Sequence, residues 1–454
     1  MRLHSLRAAL RRTARVGIFS LVLLALVMPA ASAATTRLWV RRYNGPASNV
    51  DEAADLAFDN SGNVYVAGRS VAATSGYDYL VIKYGPNGGQ KWVRRYDGPA
   101  HRFDATHAVA VDALGNVYVT GVSTGSGGGE DFATVKFDAS GTQKWVQRYS
   151  NGAYRDEANG IAIDTAGNVI VVGVSGAQNS GNDIVTIKYG PDGTVAWVKR
   201  YNGPASEADV GIAVAVDSEN NVYVTGPSIG EETEWDICTI KYSPAGAQLW
   251  VKRWDGPKSK ADGSTDIAID DEDRAYVTGY TYRNSEDSDF VTIAYSKNGV
   301  IRWEDRYDGP GEGFDVAWAI AIDGNGVYVA GSSQGEGTGY DYCIIRYLRS
   351  GSVSFAKRYI GPAGDDMVND IAAANGRVYV TGFSTGEGTE GDYFTIAYGG
   401  AGGVKWSNRY NGPADAFDQG NAVGVCPATG NVYVTGGSGG VDTRSDFATI
   451  KYAP

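Results

Sequence analysis

One aromatic position recurs along the chain at a spacing that dictates its architecture. It reads Trp39, Trp92, Trp145, Trp197, Trp250, Trp303, Phe355 and Trp406, at intervals of 51 to 53 residues. Each aromatic opens a segment that ends in Arg-aromatic, as in Trp92-Val93-Arg94-Arg95-Tyr96. A turn follows, usually Asn/Asp-Gly-Pro, whose Gly and Pro suit tight turns and stop ladders. Next comes a small apolar strand such as Ala108-Val109-Ala110-Val111, and Asp112 to Asn116 close a hairpin into Val117-Tyr118-Val119-Thr120-Gly121. A Gly/Ser-rich loop leads to a third strand, Asp131 to Phe137. Four short antiparallel strands in a repeat of about 50 residues, without helical periodicity, mark a β-propeller blade.

The third strand occurs eight times, ending at Tyr84, Phe137, Tyr189, Tyr242, Tyr295, Tyr347, Tyr398 and Tyr452. The expected fold is therefore all-β: one domain over residues 34–454 with eight four-stranded antiparallel blades. Length alone would suggest about three domains, and the repeat overrides it. The Trp strand is predicted to be outermost, because the small Ala/Val strand fits the crowded centre. The chain opens on a Trp strand (Leu38 to Tyr43) and ends on a third strand (Phe447 to Tyr452). The N-terminal strand should thus complete the last blade and close the ring without a free edge.

The recurring pattern Gly-Asn-Val-Tyr-Val-Thr-Gly (Gly115 to Gly121), with Asp-Phe-x-Thr-Ile-Lys-Tyr after it (Asp446 to Tyr452), resembles the bacterial SBBP (seven-bladed β-propeller) repeat family. The resemblance covers essentially all of the mature chain. It implies a propeller in a secreted or cell-surface protein and brings no catalytic motif. The family name implies seven blades, whereas this sequence supplies eight complete units.

Residues 1–33 read as a signal peptide. Arg2, Arg7, Arg11, Arg12 and Arg15 precede an apolar run from Val16 to Met28, and Ala31-Ser32-Ala33 has cleavage-site spacing. The run is short for a transmembrane helix and no second one follows, so a secreted or cell-envelope location is expected, without an integral membrane segment after cleavage. Loss of those five arginines takes the formal charge from −12 to −17. So acidic a chain is a poor partner for nucleic acid, which is bound through Lys and Arg. Cys238, Cys343 and Cys426 are read as buried structural thiols.

Three charged positions recur in all eight units. One is the Arg before the aromatic: Arg42, Arg95, Arg148, Arg200, Arg253, Arg306, Arg358 and Arg409. The second is an Asp entering the inner strand: Asp51, Asp104, Asp156, Asp209, Asp262, Asp315, Asp366 and Asp418. The third is an Asp starting the third strand: Asp78, Asp131, Asp183, Asp236, Asp289, Asp341, Asp392 and Asp446. A task common to every blade explains them, namely capping turn N–H groups or pairing with the arginines. No cofactor or metal is assigned. Carboxylates around the channel could also hold Ca²⁺. The run Asp270-Asp271-Glu272-Asp273 reads as a solvated turn.

Function in a propeller sits where the repeat varies. Three residues after the inner-strand Asp the series reads Ala54, His107, Asn159, Ile212, Thr265, Trp318, Asn369 and Asn421. This position should lie near the central funnel. Trp318 there could stack on a sugar ring, with His107 and the amides of Asn159, Asn369 and Asn421 bonding hydroxyls; the alternative is that Trp318 fills a gap between blades. Trp235, in the acidic loop Glu231 to Glu234, and the segment Tyr280 to Arg283 are peripheral candidates, and packing in the loop explains Trp235 equally. His101 and His107 with Asp104 would make only an incomplete metal site. No G-x-S-x-G elbow, no HExxH and no CxxC pair is read in the sequence. The expectation is a non-catalytic extracellular module binding a surface glycan or protein. The alternatives are a polysaccharide-active lyase or hydrolase using funnel-mouth carboxylates, or a structural envelope protein.

Overall fold

The computed structural model describes residues 36–152, 155–177, 181–324 and 326–454; the signal peptide expected at 1–33 lies outside them. The described strands form eight sheets, each of four antiparallel strands. In blade 1 the inner, second, third and outer strands are Asp51–Phe58, Val64–Ala72, Gly76–Tyr84 and Gln90–Tyr96. Blades 2 to 7 repeat this order over 104–149, 156–201, 213–254, 262–307, 315–359 and 366–410. Blade 8 takes Asp418–Val425, Val432–Gly440 and Thr443–Tyr452 from the C-terminal end, and its outer strand is Arg37–Tyr43. Arg42 lies opposite Ala448 and Tyr43 opposite Phe447. The blade number, the phase of the repeat and the closure are those read from the sequence.

Val-Tyr-Val runs form the second strands because both faces of a blade are covered by its neighbours. Val64, Tyr65 and Val66 are fully buried. The core is therefore a set of clusters between blades: Tyr65, Val81 and Trp92 of blade 1 pack with Val109, Val117 and Val135 of blade 2. The three cysteines are buried and unpaired, and burial pushes the Cys238 and Cys343 thiols up to about 12.

Two devices lock each blade to the next. The first uses the recurring Trp. The indole N–H of Trp92 donates to Ala139 O of the next blade at 3.2 Å, and Trp39, Trp145, Trp197, Trp250 and Trp303 do the same to Pro86, Pro191, Pro244, Lys297 and Arg349. The partner turn must come close. Gly88 has φ +77°, and a Cβ there would sit 3.0 Å from the Trp39 ring, so glycine is required on both counts. Trp406 has no such partner, because blade 8 has no turn joining its third strand to its outer strand.

The second device is a charged clasp. In blade 2, Gly98 N–H donates to Asp104 Oδ2 at 2.7 Å, and Arg148 reaches Ser123 Oγ (2.6 Å), Asp131 Oδ2 (2.7 Å) and the Tyr96 hydroxyl of blade 1 (3.0 Å). Ser70 and Ser228 donate to Asp51 and Asp209 in the corresponding places. The two aspartate series thus divide the work: the inner one caps the link between blades and the third-strand one takes the arginine. The ion pair forms in seven blades. Blade 5 breaks the rule: Arg306 is exposed and makes no ion pair among the described residues, and Thr281 stands where the other blades have Ser.

Two stability predictions follow from these locks. Removing residues 36–43 exposes the edge of the strand Thr443–Tyr452, so the melting temperature should fall and aggregation rise; an unchanged melting temperature would refute the closure. Arg358→Ala strands the buried Asp341 (side chain 1% exposed) and should cost about 3 kcal/mol or more by denaturant unfolding. Arg306→Ala should stay within about 0.5 kcal/mol, and equal losses at both sites would dismiss the clasp.

Candidate functional site

The inner strands line the central channel, and seven of the eight carry a β-bulge at the variable position, the exception being the short inner strand of blade 4. In blade 1, Ala53 pairs with Gly68 and Asp55 with Ala67, leaving Ala54 as the extra residue. The second-strand glycine makes room for it: a Cβ on Gly68 would lie 2.0 Å from Glu52 O. The same shift occurs beside His107, Asn159, Thr265, Trp318, Asn369 and Asn421. A bulge bends the strand and re-aims one side chain, which turns this position into a ring around the channel.

Five members of the ring reach across to the next blade. Asn159 Nδ2 donates to Gly211 O at 2.8 Å, Asn369 Nδ2 to Gly420 O at 2.9 Å and Asn421 Nδ2 to Ala53 O at 2.7 Å. Thr265 Oγ1 donates to Ala317 O at 2.8 Å, and His107 Nδ1 bonds Ala158 O at 3.0 Å. His107 Nε2 also lies 3.5 Å from Glu157 Oε1. The bonds of Asn159, Asn369 and Asn421 use the amide N–H, and no bond to their amide oxygens is seen among the described residues. Trp318 makes no such bond and is 39% exposed. The structure therefore brings His107, Asn159, Trp318, Asn369 and Asn421 into one ring. Trp235 stays apart, half-buried at the start of the third strand of blade 4.

Three further channel residues escaped sequence reading. Asp55, Asp266 and Asp370 directly follow the bulge, where the other blades have Ala108, Gly160, Ala213, Ala319 and Ala422. Each carboxylate accepts two backbone N–H groups. Asp55 takes Leu56 at 2.7 Å and, across the gap, Val109 at 2.8 Å; Asp266 takes Ile267 and Ile320, and Asp370 takes Ile371 and Val423. Burial pushes Asp55 and Asp266 up to about 6 and outweighs those bonds. Asp370 is raised further, with the charges of Asp55 and Asp266 adding to burial, so the three share one electrostatic space. Their signal was an acid in place of Ala or Gly, one residue beyond the position singled out.

Other candidates resolve into structural parts. His101 pairs with Asp97 at 2.6 Å and does not join His107. The acidic run divides: Asp271 and Glu272 are exposed, whereas Asp270 is buried and holds Arg274 at 2.7 Å and the Tyr276 hydroxyl at 2.9 Å. That corrects its reading as wholly solvated. The string Gly-x-Ser-x-Gly does occur in five units, around Ser123, Ser228, Ser333, Ser384 and Ser438. These are the buried clasp serines at the ends of second strands, with Arg and Asp as partners. They are not nucleophiles on a strand-to-helix turn. On the rim, Phe103, Phe314 and Phe417 immediately precede the inner-strand Asp. They stack edge-on against Tyr77, Tyr282 and Phe383 of the preceding blades, and Phe417 is exposed.

Residues 38–71 match the family model described as SBBP, Beta-propeller repeat. An uncharacterized WD repeat-containing protein of Acanthamoeba polyphaga mimivirus is 23% identical over 273 residues, which is 52% of this chain and 17% of that protein. Among solved structures, the periplasmic gluconolactonase of Pseudomonas aeruginosa aligns at a TM-score of 0.46 and 15% identity, over 79% of this chain and 95% of that one. A polysaccharide lyase aligns at a TM-score of 0.45 and 11% identity, over 88% and 89%. At such identities and TM-scores the likeness carries nothing over to the activity of this chain. The chain carries an SBBP β-propeller repeat at residues 38–71, in a ring of eight blades.

Proposed function

We propose that this protein is a secreted, non-catalytic interaction module that holds a glycan at the mouth of its central channel. The observation that carries this reading is the exposed ring of Trp318 among side chains that already tie the blades together. A sugar offers an apolar face for the indole and hydroxyls for the amide oxygens of Asn159, Asn369 and Asn421. A surface glycan fits this mixture better than an extracellular protein, whose docking would call for a broader apolar patch. The location outside the cytoplasm rests on the leader-like residues 1–33.

A second reading, a polysaccharide-active enzyme, is favoured by one observation: the raised carboxyls of Asp55, Asp266 and Asp370 break the repeat inside the channel, as catalytic acids would. The two readings part on turnover. A binder releases its glycan unchanged, whereas an enzyme yields shortened or unsaturated products, and Asp370→Asn abolishes them.

Binding of envelope glycans to the mature protein should weaken about tenfold or more, about 1.4 kcal/mol, in Trp318→Ala, measured by calorimetry or on an immobilised glycan panel. Equal affinity in the variant would clear the channel mouth of a binding role. The channel acids also predict a pH dependence of stability. Folded Asp55 and Asp266 keep their protons up to about pH 6, whereas an unfolded Asp releases its proton near about 4. The native state binds the extra protons between these values, so the stability they contribute falls as pH rises from about 4 through about 6. Melting temperatures across this window should drop less in the double variant Asp55→Asn, Asp266→Asn than in the wild type. Parallel curves would contradict the raised values.

A further inference from the structure

Three links between blades begin with an aspartate, Asp97, Asp255 and Asp308, whereas the other links have Asn44, Ser150, Asn202, Ile360 and Asn411 at that place. At each of the three, the link aspartate joins two more carboxylates. Asp97 meets Asp78 and Asp104, Asp255 meets Asp236 and Asp262, and Asp308 meets Asp287 and Asp289. In every group one oxygen from each residue lies within 4.8 Å of the others.

The first two groups contain the arginine of their clasp, Arg95 on Asp78 and Arg253 on Asp236. The third has lost it, because Arg306 of blade 5 is exposed. Asp289 is nevertheless 5% exposed, and its buried Oδ1 has no hydrogen-bond partner. The nearest cation is Arg283, 3.6 Å from Asp289 and 3.5 Å from Asp287, whose closest contact is Asp308 at 2.5 Å. Arg283 stands next to the end of the second strand, Ala275–Asn284, and is 43% exposed, so its guanidinium can turn out to solvent. The carboxylates of Asp287 and Asp308 open onto a polar recess of about 560 Å³ that Glu286 and Glu312 also line. Burial, with Asp308 close by, pushes the Asp289 carboxyl up to about 6.

We propose that the junction of blades 5 and 6 binds a Ca²⁺ ion through Asp287, Asp289 and Asp308, with Arg283 as the counter-charge that the ion displaces. Ca²⁺ takes oxygen ligands at about 2.4 Å, so oxygens on opposite sides of one ion stand about 4.8 Å apart, the span this group keeps. The recess leaves room for the waters that complete a shell of six to eight. Three carboxylates facing one departing guanidinium supply the charge that a hard divalent cation needs, at the one blade where the architecture withholds its own arginine.

The test is calorimetric titration of CaCl₂ into the chelator-treated full-length mature protein, repeated on Asp308→Asn, Arg283→Ala and Asp97→Asn. Asp308 is half-exposed, so its substitution leaves the core intact. One Ca²⁺ per chain is expected in the wild type, about tenfold or more weaker in Asp308→Asn, tighter in Arg283→Ala and unchanged in Asp97→Asn. No binding at millimolar Ca²⁺ in both wild type and Arg283→Ala overturns the proposal. So does an affinity that Asp308→Asn leaves unaltered.

Discussion

A closed ring of sheets stands or falls on what joins one blade to the next, since the strands of each blade form a sheet only with one another. Two of the joints found here are polar and one is apolar. Interleaved Tyr, Val and Trp side chains fill the gaps, and burial of that surface is the dominant favourable term. It does not fix the angle between blades. The indole N–H donated to the next turn and the Arg-Ser-Asp clasp that reaches the preceding Tyr hydroxyl are directional, and they set it. Strand pairing of Arg37–Tyr43 with Thr443–Tyr452 then carries the last angle into closure.

The parts of this scheme that repeat are the parts the sequence displays. Eight Trp-type positions, eight Arg and two sets of eight Asp announce both the blade number and a shared structural task. The split between the aspartate series is not displayed: the sequence leaves capping and arginine pairing open for both, and the structure gives the first to the link and the second to the arginine. What stayed hidden arises between blades. The bulge leaves no mark that sequence alone reveals, because what makes room for the extra residue is a glycine in the neighbouring strand, and glycine is common throughout this chain. The consequence for Asp55, Asp266 and Asp370 is that an acid placed among Ala and Gly on a small apolar strand looks like noise until the bulge sets it in the channel. The Gly-x-Ser-x-Gly strings carry no such consequence. A familiar motif proves to be the end of a strand plus its clasp serine.

A repeat also gives an internal control that most folds lack. Each departure can be judged against seven other copies in the same molecule, with the same backbone and nearly the same neighbours. By this standard Trp406 is explained by topology, since its missing partner is the turn that closure removes. Phe355, with no N–H to donate, shows that the ring tolerates the loss of a single tie. Arg306 differs from both: its partner Asp289 remains in place and buried, so a charge is withheld and its counterpart kept.

The channel acids yield to the same comparison. Asp55, Asp266 and Asp370 each bridge two inner strands by accepting N–H groups from both, which reads at first as a structural role. Yet four blades hold the same bulge with Ala or Gly at that position, so the bridge is dispensable for the ring. It is also costly, because burial raises the carboxyls toward neutrality when the same contact could be omitted. Blades 1 and 5 stand opposite one another in an eight-membered ring, with blade 7 midway between them on one side. The acids therefore surround the axis rather than crowd one wall. A placement that the architecture does not require, and that costs stability near neutral pH, sets these three acids apart from the aspartates of the clasp, which every blade keeps.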